Sequence, residues 1–167
     1  KILNKIKIKS NIHVDPVFLL EEKIKNVKCN FFIIYGKISD NFEINQIKKI
    51  SKEKHLRTIS IAYHNEWCDI NLINCKIDNF LSYFKNCSLV ATNMLHGEFL
   101  SLKFRKKFIR LRNSRKNNKF NNIFNKNINF IKYHRLNYFD GSKIDKIIDR
   151  KINISKNYLI NEINEFK

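Results

Sequence analysis

Short runs of β-branched and aromatic residues recur along this chain, each followed by a segment whose apolar residues step at helical spacing. That alternation restricts the available folds more than any other feature. Asn30 to Tyr35 is apolar after its first residue and ends at Gly36, the profile of a strand buried on both faces. Phe42, Ile44, Ile47 and Ile50 then mark a helix ending near His55, and Thr58 to Tyr63 reads as the next strand. His64 to Lys76 is polar and reads as a loop at the carboxyl end of that strand. Asp78 is placed to cap a helix carrying Phe80, Leu81, Tyr83 and Phe84, and Ser88 to Thr92 is a further strand. Repeated strand and helix units put helices on both faces of a parallel sheet. The expected class is α/β, with residues 1–167 forming one domain around a parallel sheet covered on both faces.

The flanks extend the pattern. Asp15-Pro16 has the form of a helix start, with Asp15 as cap and Pro16 where its missing N–H costs nothing, and the helix runs to about Asn26. Lys107 to Arg112 alternates as a strand, and Ser114 opens a helix with Phe120, Ile123 and Phe124. A short strand follows at Asn129 to Tyr133, then helices at Ile144 to Arg150 and Ser155 to Phe166. A hydrophobic content of 43% with 14 phenylalanines supplies a core for a domain of this length. No apolar run is long enough to span a bilayer and no signal-peptide succession is visible, so a cytoplasmic location is expected. The chain opens on Lys1 directly into apolar residues, which reads as the continuation of a larger protein.

The formal net charge is +18. Lysine, asparagine, isoleucine and phenylalanine are inflated together while glycine falls to 3 and proline to 1, a joint bias that AT-rich coding explains without selection for charge. Nucleic acid is therefore not the expected partner. The densest basic run, Lys103 to Lys107 continuing through Arg110, Arg112, Arg115, Lys116 and Lys119, follows Leu95-His96-Gly97 and is read as support for an anion there. Cys29, Cys68, Cys75 and Cys87 form no CxxC pair and are expected as reduced thiols. The grouping of Cys68, Cys75, His64 and Asp69 fits no structural zinc module, and no metal site is assigned. With only Gly36, Gly97 and Gly141, there is no phosphate loop, dinucleotide fingerprint or GxSxG elbow.

Chemistry has its clearest address at Ser88 to Arg112. The strand runs into Leu95-His96-Gly97, and Phe99, Leu100, Leu102 and Phe104 then recur at helical spacing. His96 and Gly97 therefore sit on a strand-to-helix turn, at the strand ends where open α/β sheets bind ligands. Trp67 suits either sugar stacking or cover for the core edge, and His64 is a second candidate histidine.

Thr92-Asn93-Met94-Leu95-His96-Gly97, with Arg105-Lys106-Lys107-Phe108-Ile109, Ser114-Arg115 and the upstream Asp15-Pro16-Val17-Phe18-Leu19-Leu20, resembles the polysaccharide pyruvyl transferase family. The likeness covers about Asp15 to Leu136. It implies the Rossmann-like C-terminal half of a glycosyltransferase-B-like protein whose N-terminal domain lies outside this chain. It further implies transfer of pyruvate from phosphoenolpyruvate, as donor substrate and with no cofactor, to a glycan acceptor in surface polysaccharide synthesis. That role brings peripheral association with membrane-bound glycan intermediates. In that reading His96 is catalytic, and Asn93, Gly97, Arg112 and Arg115 bind substrate. Two departures stand out: Met94 occupies a position where some members carry Arg, and Glu98 places an anion beside the anion site. A nucleotide-sugar glycosyltransferase domain and a non-catalytic basic module binding nucleic acid or an anionic polymer are the alternatives.

Overall fold

The computed structural model describes Val17, Ile24 and residues 29–112, 131–133, 136–140 and 145–165. Among the described residues seven strands form one mixed, mostly parallel sheet in the order β3-β2-β1-β4-β5-β7-β6. These are β1 (Phe31–Tyr35), β2 (Arg57–Ile61), β3 (Ile70–Leu72), β4 (Leu89–Thr92), β5 (Lys107–Arg110), β6 (Ile131–Tyr133) and β7 (Leu136–Asp140). β1 to β5 are all parallel, with Ile33 opposite Ile59 on one side and Val90 on the other. β7 runs antiparallel to β5, placing Ile109 opposite Tyr138, and pairs with β6 in a hairpin.

Period-two alternation divides the core between the two faces. Phe32, Ile34, Leu89, Ala91 and Ile109 point to one face, where α1 (Asn41–Glu53) lays down Ile47 and Ile50. Ile33, Ile59, Val90 and Phe108 point to the other, against Leu81 and Phe84 of α2 (Ile77–Asn86) and Phe99, Leu100 and Leu102 of α3 (Leu95–Lys103). Ile152 of α4 (Asp145–Glu165) packs against that second cluster. Helices therefore cover both faces, as the alternation predicts.

Local chemistry sets the helix ends. Asp40 accepts from the Glu43 amide at 3.1 Å and caps α1. At the other end His55 takes a left-handed φ of 51°, while its N–H reaches the Lys52 carbonyl and the Leu56 N–H reaches Ser51. α3 ends the same way, with Arg105 at φ 57° and the Lys106 N–H on the Ser101 carbonyl. These are Schellman closures, built in a glycine-poor chain from His and Arg.

Several expectations need correction. The polar stretch from His64 to Lys76 is not all loop, because it contains edge strand β3. Asp69 anchors that strand by accepting from the Thr58 amide and hydroxyl at 2.7 and 2.8 Å, bonds that hold its carboxyl below the usual range. β2 stops at Ile61, since Ala62 turns the chain at φ 64° and donates to the Leu72 carbonyl. α2 starts at Ile77, so Asp78 lies within its first turn and Lys76 occupies the cap position. The sheet is not wholly parallel: β7 follows β6 as an unforeseen antiparallel strand, because a hairpin needs only a short turn whereas a parallel return needs a crossover. The two expected C-terminal helices are one 21-residue helix. The helices expected from Pro16 and from Ser114, and the start of the strand expected from Asn129, lie outside the described residues. Among the described residues no helix is long and apolar enough to cross a membrane.

Candidate functional site

The strand order places a crevice at a definite position. From β1 the sheet grows through β2 and β3 in one direction, and through β4 and β5 in the other. Neighbouring loops therefore leave the carboxyl ends of β1 and β4 towards opposite faces, with α1 on one and α3 on the other. This is a topological switch point, the place where doubly wound sheets take ligands. Gly36 and Lys37 leave β1 there, and Asn93 to His96 leave β4.

The two loops are fastened to each other. The Thr92 hydroxyl donates to the Tyr35 carbonyl at 2.7 Å and accepts from the Met94 amide at 3.0 Å. The Asn93 amide group donates to the Lys37 carbonyl at 2.8 Å. Gly36 adopts φ +127°, and a Cβ there would stand 1.9 Å from Asn93 Oδ1, so both the backbone angle and the close approach require glycine. Gly97 lets α3 settle onto the strands, since a Cβ would lie 2.3 Å from Thr92 Oγ1 and 2.8 Å from the Tyr35 ring.

His96 stands in the first turn of α3, exposed, with its ring edge-on to Phe99 at 6.5 Å between centroids. Met94 occupies the cap position with no side-chain hydrogen bond to the helix, and its sulfur accepts from the Tyr63 hydroxyl at 3.8 Å. His96, Gly97 and Asn93 are thus brought to one crevice, although Gly97 and Asn93 are engaged in holding its walls. Arg112, just past β5, uses its backbone N–H on Glu43 at 2.7 Å and sets its 80% exposed guanidinium 3.8 Å from Asp40. Burial pushes the Glu43 carboxyl up, and the Arg112 amide draws it partly back. Arg115 lies outside the described residues.

Glu98 does not confront the crevice as an exposed anion. It is buried and gripped by Arg110 through two bonds, at 2.9 Å from Nε and 2.6 Å from Nη2. Burial raises its carboxyl above the ordinary range, and the guanidinium opposes that shift. The same pair removes Arg110 from the expected anion support. Most of the described basic run is displaced further: Lys103 ends α3, Arg105 and Lys106 lie between it and β5, and Lys107 opens β5, at the opposite end of the sheet. α3 carries the chain about 10 Å from His96 to Lys103 at that end.

Residues that sequence reasoning passed over hold the neighbouring loop. Asn65 is 1% exposed. Its side chain accepts from Ile38 N–H at 3.0 Å and donates to the Gly36 carbonyl and the Ser60 hydroxyl at 2.9 and 2.8 Å. Nothing in the local sequence separates this asparagine from its solvated neighbours. Lys37 reaches the His64 carbonyl at 2.6 Å, so the second candidate histidine contributes its backbone to the site's wall. Trp67 packs against the α1-side core, and its indole N–H is buried without a partner among the described residues, which favours its core-edge role.

A cleft of about 490 Å³ lies elsewhere, between the end of β3 and α2, lined by Asn71, Asn74, Cys75, Lys76, Asn79 and Tyr83. All four cysteines are free thiols. Among the described residues no three His, Cys, Asp or Glu side chains gather as metal ligands. Comparison with protein-family models, with curated proteins and with solved structures finds no match to this chain.

Proposed function

We propose that this chain is the C-terminal, Rossmann-like half of a glycosyltransferase-B-like enzyme related to the polysaccharide pyruvyl transferases. In this reading it acts in the cytoplasm, on phosphoenolpyruvate and a glycan hydroxyl pair. The observation that carries the reading is the position of His96, exposed in the first turn of α3 at the β1/β4 switch point. The family-like motif and the ligand-binding end of the sheet coincide there, and the sequestration of Glu98 by Arg110 removes one objection to an anionic donor.

The proposed reaction balances as follows. A proton passes to carbon 3 of the enol, leaving an oxocarbenium-like carbon 2. Two sugar hydroxyl oxygens bond to carbon 2 as the bond to the phosphate oxygen breaks, giving a ketal and inorganic phosphate. Of the two hydroxyl protons released, one replaces the proton delivered to carbon 3 and the other leaves with phosphate. Imidazole exchanges protons readily near neutral pH, which suits His96 to the delivery step. The first amides of α3 and the ammonium of Lys37 offer positive charge to phosphate and carboxylate, in place of the arginine that Met94 replaces. Arg112, partly countered by Asp40, is the remaining described cation of this group.

The test is direct. Phosphoenolpyruvate binding is followed by titration, and phosphate release is followed with a panel of methyl glycosides as acceptors. His96→Ala is expected to retain binding and to lower phosphate release by about 10²- to 10⁴-fold, the usual worth of a positioned proton donor. Absence of phosphoenolpyruvate binding, or turnover only with a nucleotide sugar, would transfer the crevice to the glycosyltransferase reading.

A further inference from the structure

The parallel strands set a polarity that the charges follow. β1 to β5 begin at one end of the sheet, and α1, α2 and α3 finish there. Onto that amino end fall Lys52 in the last turn of α1, Arg57 at the first position of β2, and Lys106 and Lys107 where α3 gives way to β5. Lys52, Arg57 and Lys107 are exposed, and Lys106 is half-buried. Arg57 and Lys107 stand three strand spacings apart, about 14 Å, so the charges form a broad band.

Acidic neighbours offset this band only in part. Glu53 lies on the same turn as Lys52, Asp69 on Thr58 faces Arg57, Asp149 bonds Arg105 at 2.7 Å, and Asp140 is 4.0 Å from Lys107. Among the described residues, Lys and Arg outnumber carboxylates at this end. They do not at the carboxyl end, where Arg110 is closed by Glu98 and Arg112 faces Asp40. Compositional bias explains how much charge the chain carries, not why it accumulates at one end.

We propose that the amino end of the sheet is a docking surface for an anionic phospholipid bilayer. Three helix C-termini open at this end, and their carbonyl dipoles disfavour a phosphate seated against the backbone, while the first turns of α4, which starts from this end, carry Asp149 bonded to Arg105. Recognition is left to long side chains reaching beyond those carbonyls, mostly lysines acting as mobile point charges. Such a field suits a continuous charged surface better than a single-stranded nucleic acid, whose docking adds stacked bases to charge. Among the described residues the exposed large apolar side chains, Ile73, Ile77, Ile154, Tyr158 and Ile160, lie in the β3–α2 region and on α4, none at a strand start. Among the described residues no exposed Phe, Tyr or Trp accompanies the charge there.

Co-sedimentation of the full chain with vesicles tests the proposal, using mixed phosphatidylcholine and phosphatidylglycerol, and phosphatidylcholine alone. Binding to the mixed vesicles only is expected, weakening as salt rises. Arg57→Gln/Lys107→Gln should bind roughly 30-fold more weakly, at the usual contribution per charge near an anionic surface. Lys48→Gln/Lys76→Gln, of identical net charge but away from this end, should bind like the wild type. Equal losses in the two double variants would make the attraction a property of net charge and overturn the surface. So would binding to an RNA or DNA duplex that falls in Arg57→Gln/Lys107→Gln while vesicle binding holds.

Discussion

Gly97 illustrates how much a single position constrains. The sequence marks it as part of a turn, but the reason for glycine is contact: an added methyl group meets Thr92 Oγ1 and the Tyr35 ring, and Thr92 is committed to the Tyr35 carbonyl and the Met94 amide. Gly97→Ala is expected to destabilise the protein by about 1–3 kcal/mol, as other overpacked sites do. Urea unfolding of the two proteins measures this, and a change within error would show that α3 can lift off β1 and β4 without cost. Asn93 carries a related lesson. Its residue type fits a ligand contact, yet its amide spans two loops through the Lys37 carbonyl. His96 and Gly97 were legible because their order follows a strand and precedes a helix. Asn65 was not, because its importance comes from burial beneath two loops distant in sequence.

At the scale of elements, α3 is bound to β5 by the Glu98–Arg110 pair, both partners 6–7% exposed. Removing one partner leaves the other buried and uncompensated. Glu98→Ala is therefore expected to cost about 3–5 kcal/mol, while Glu98→Met/Arg110→Met should recover most of that loss by replacing the pair with apolar packing. Denaturant midpoints of the three proteins decide the matter, and a double variant as unstable as the single would locate the effect elsewhere in α3. The basic run belongs to this scale as well. Along the chain it follows His96 closely. The helix between them carries Lys103 to Lys107 to the other end of the sheet, and among the described residues Arg110 on β5 and Arg112 just past it return to the first.

For the whole molecule, a sheet covered on both faces makes a prediction about its thiols. Cys68 is buried with the α1-side core and Cys87 with the opposite core, and burial pushes each thiol up to about 12. Cys29 and Cys75 are only partly buried. A disulfide reagent at pH 8 should titrate two thiols readily in the native protein and all four after denaturation, since a thiol with so high a pKa is almost entirely protonated there. Rapid reaction of all four would mean that both faces of the sheet open, and of three that one does.

The alternation of apolar periods determined the α/β class and the helices on both faces, because local burial patterns already encode which residues must face a core. The two cores, the β1, β4 and β5 strands and the address of His96 were readable for that reason. Edge strand β3 and hairpin strand β7 were not. β3 is held by Asp69 on Thr58 and by the Leu72 carbonyl, and β7 by antiparallel pairing with β5, contacts absent from any local period. Strand order likewise belongs to tertiary structure, and it alone made β1 and β4 neighbours at a switch point. It turned Glu98 inward to Arg110 and divided one continuous basic run between the two ends of the sheet, because a helix separates in space what the chain keeps adjacent.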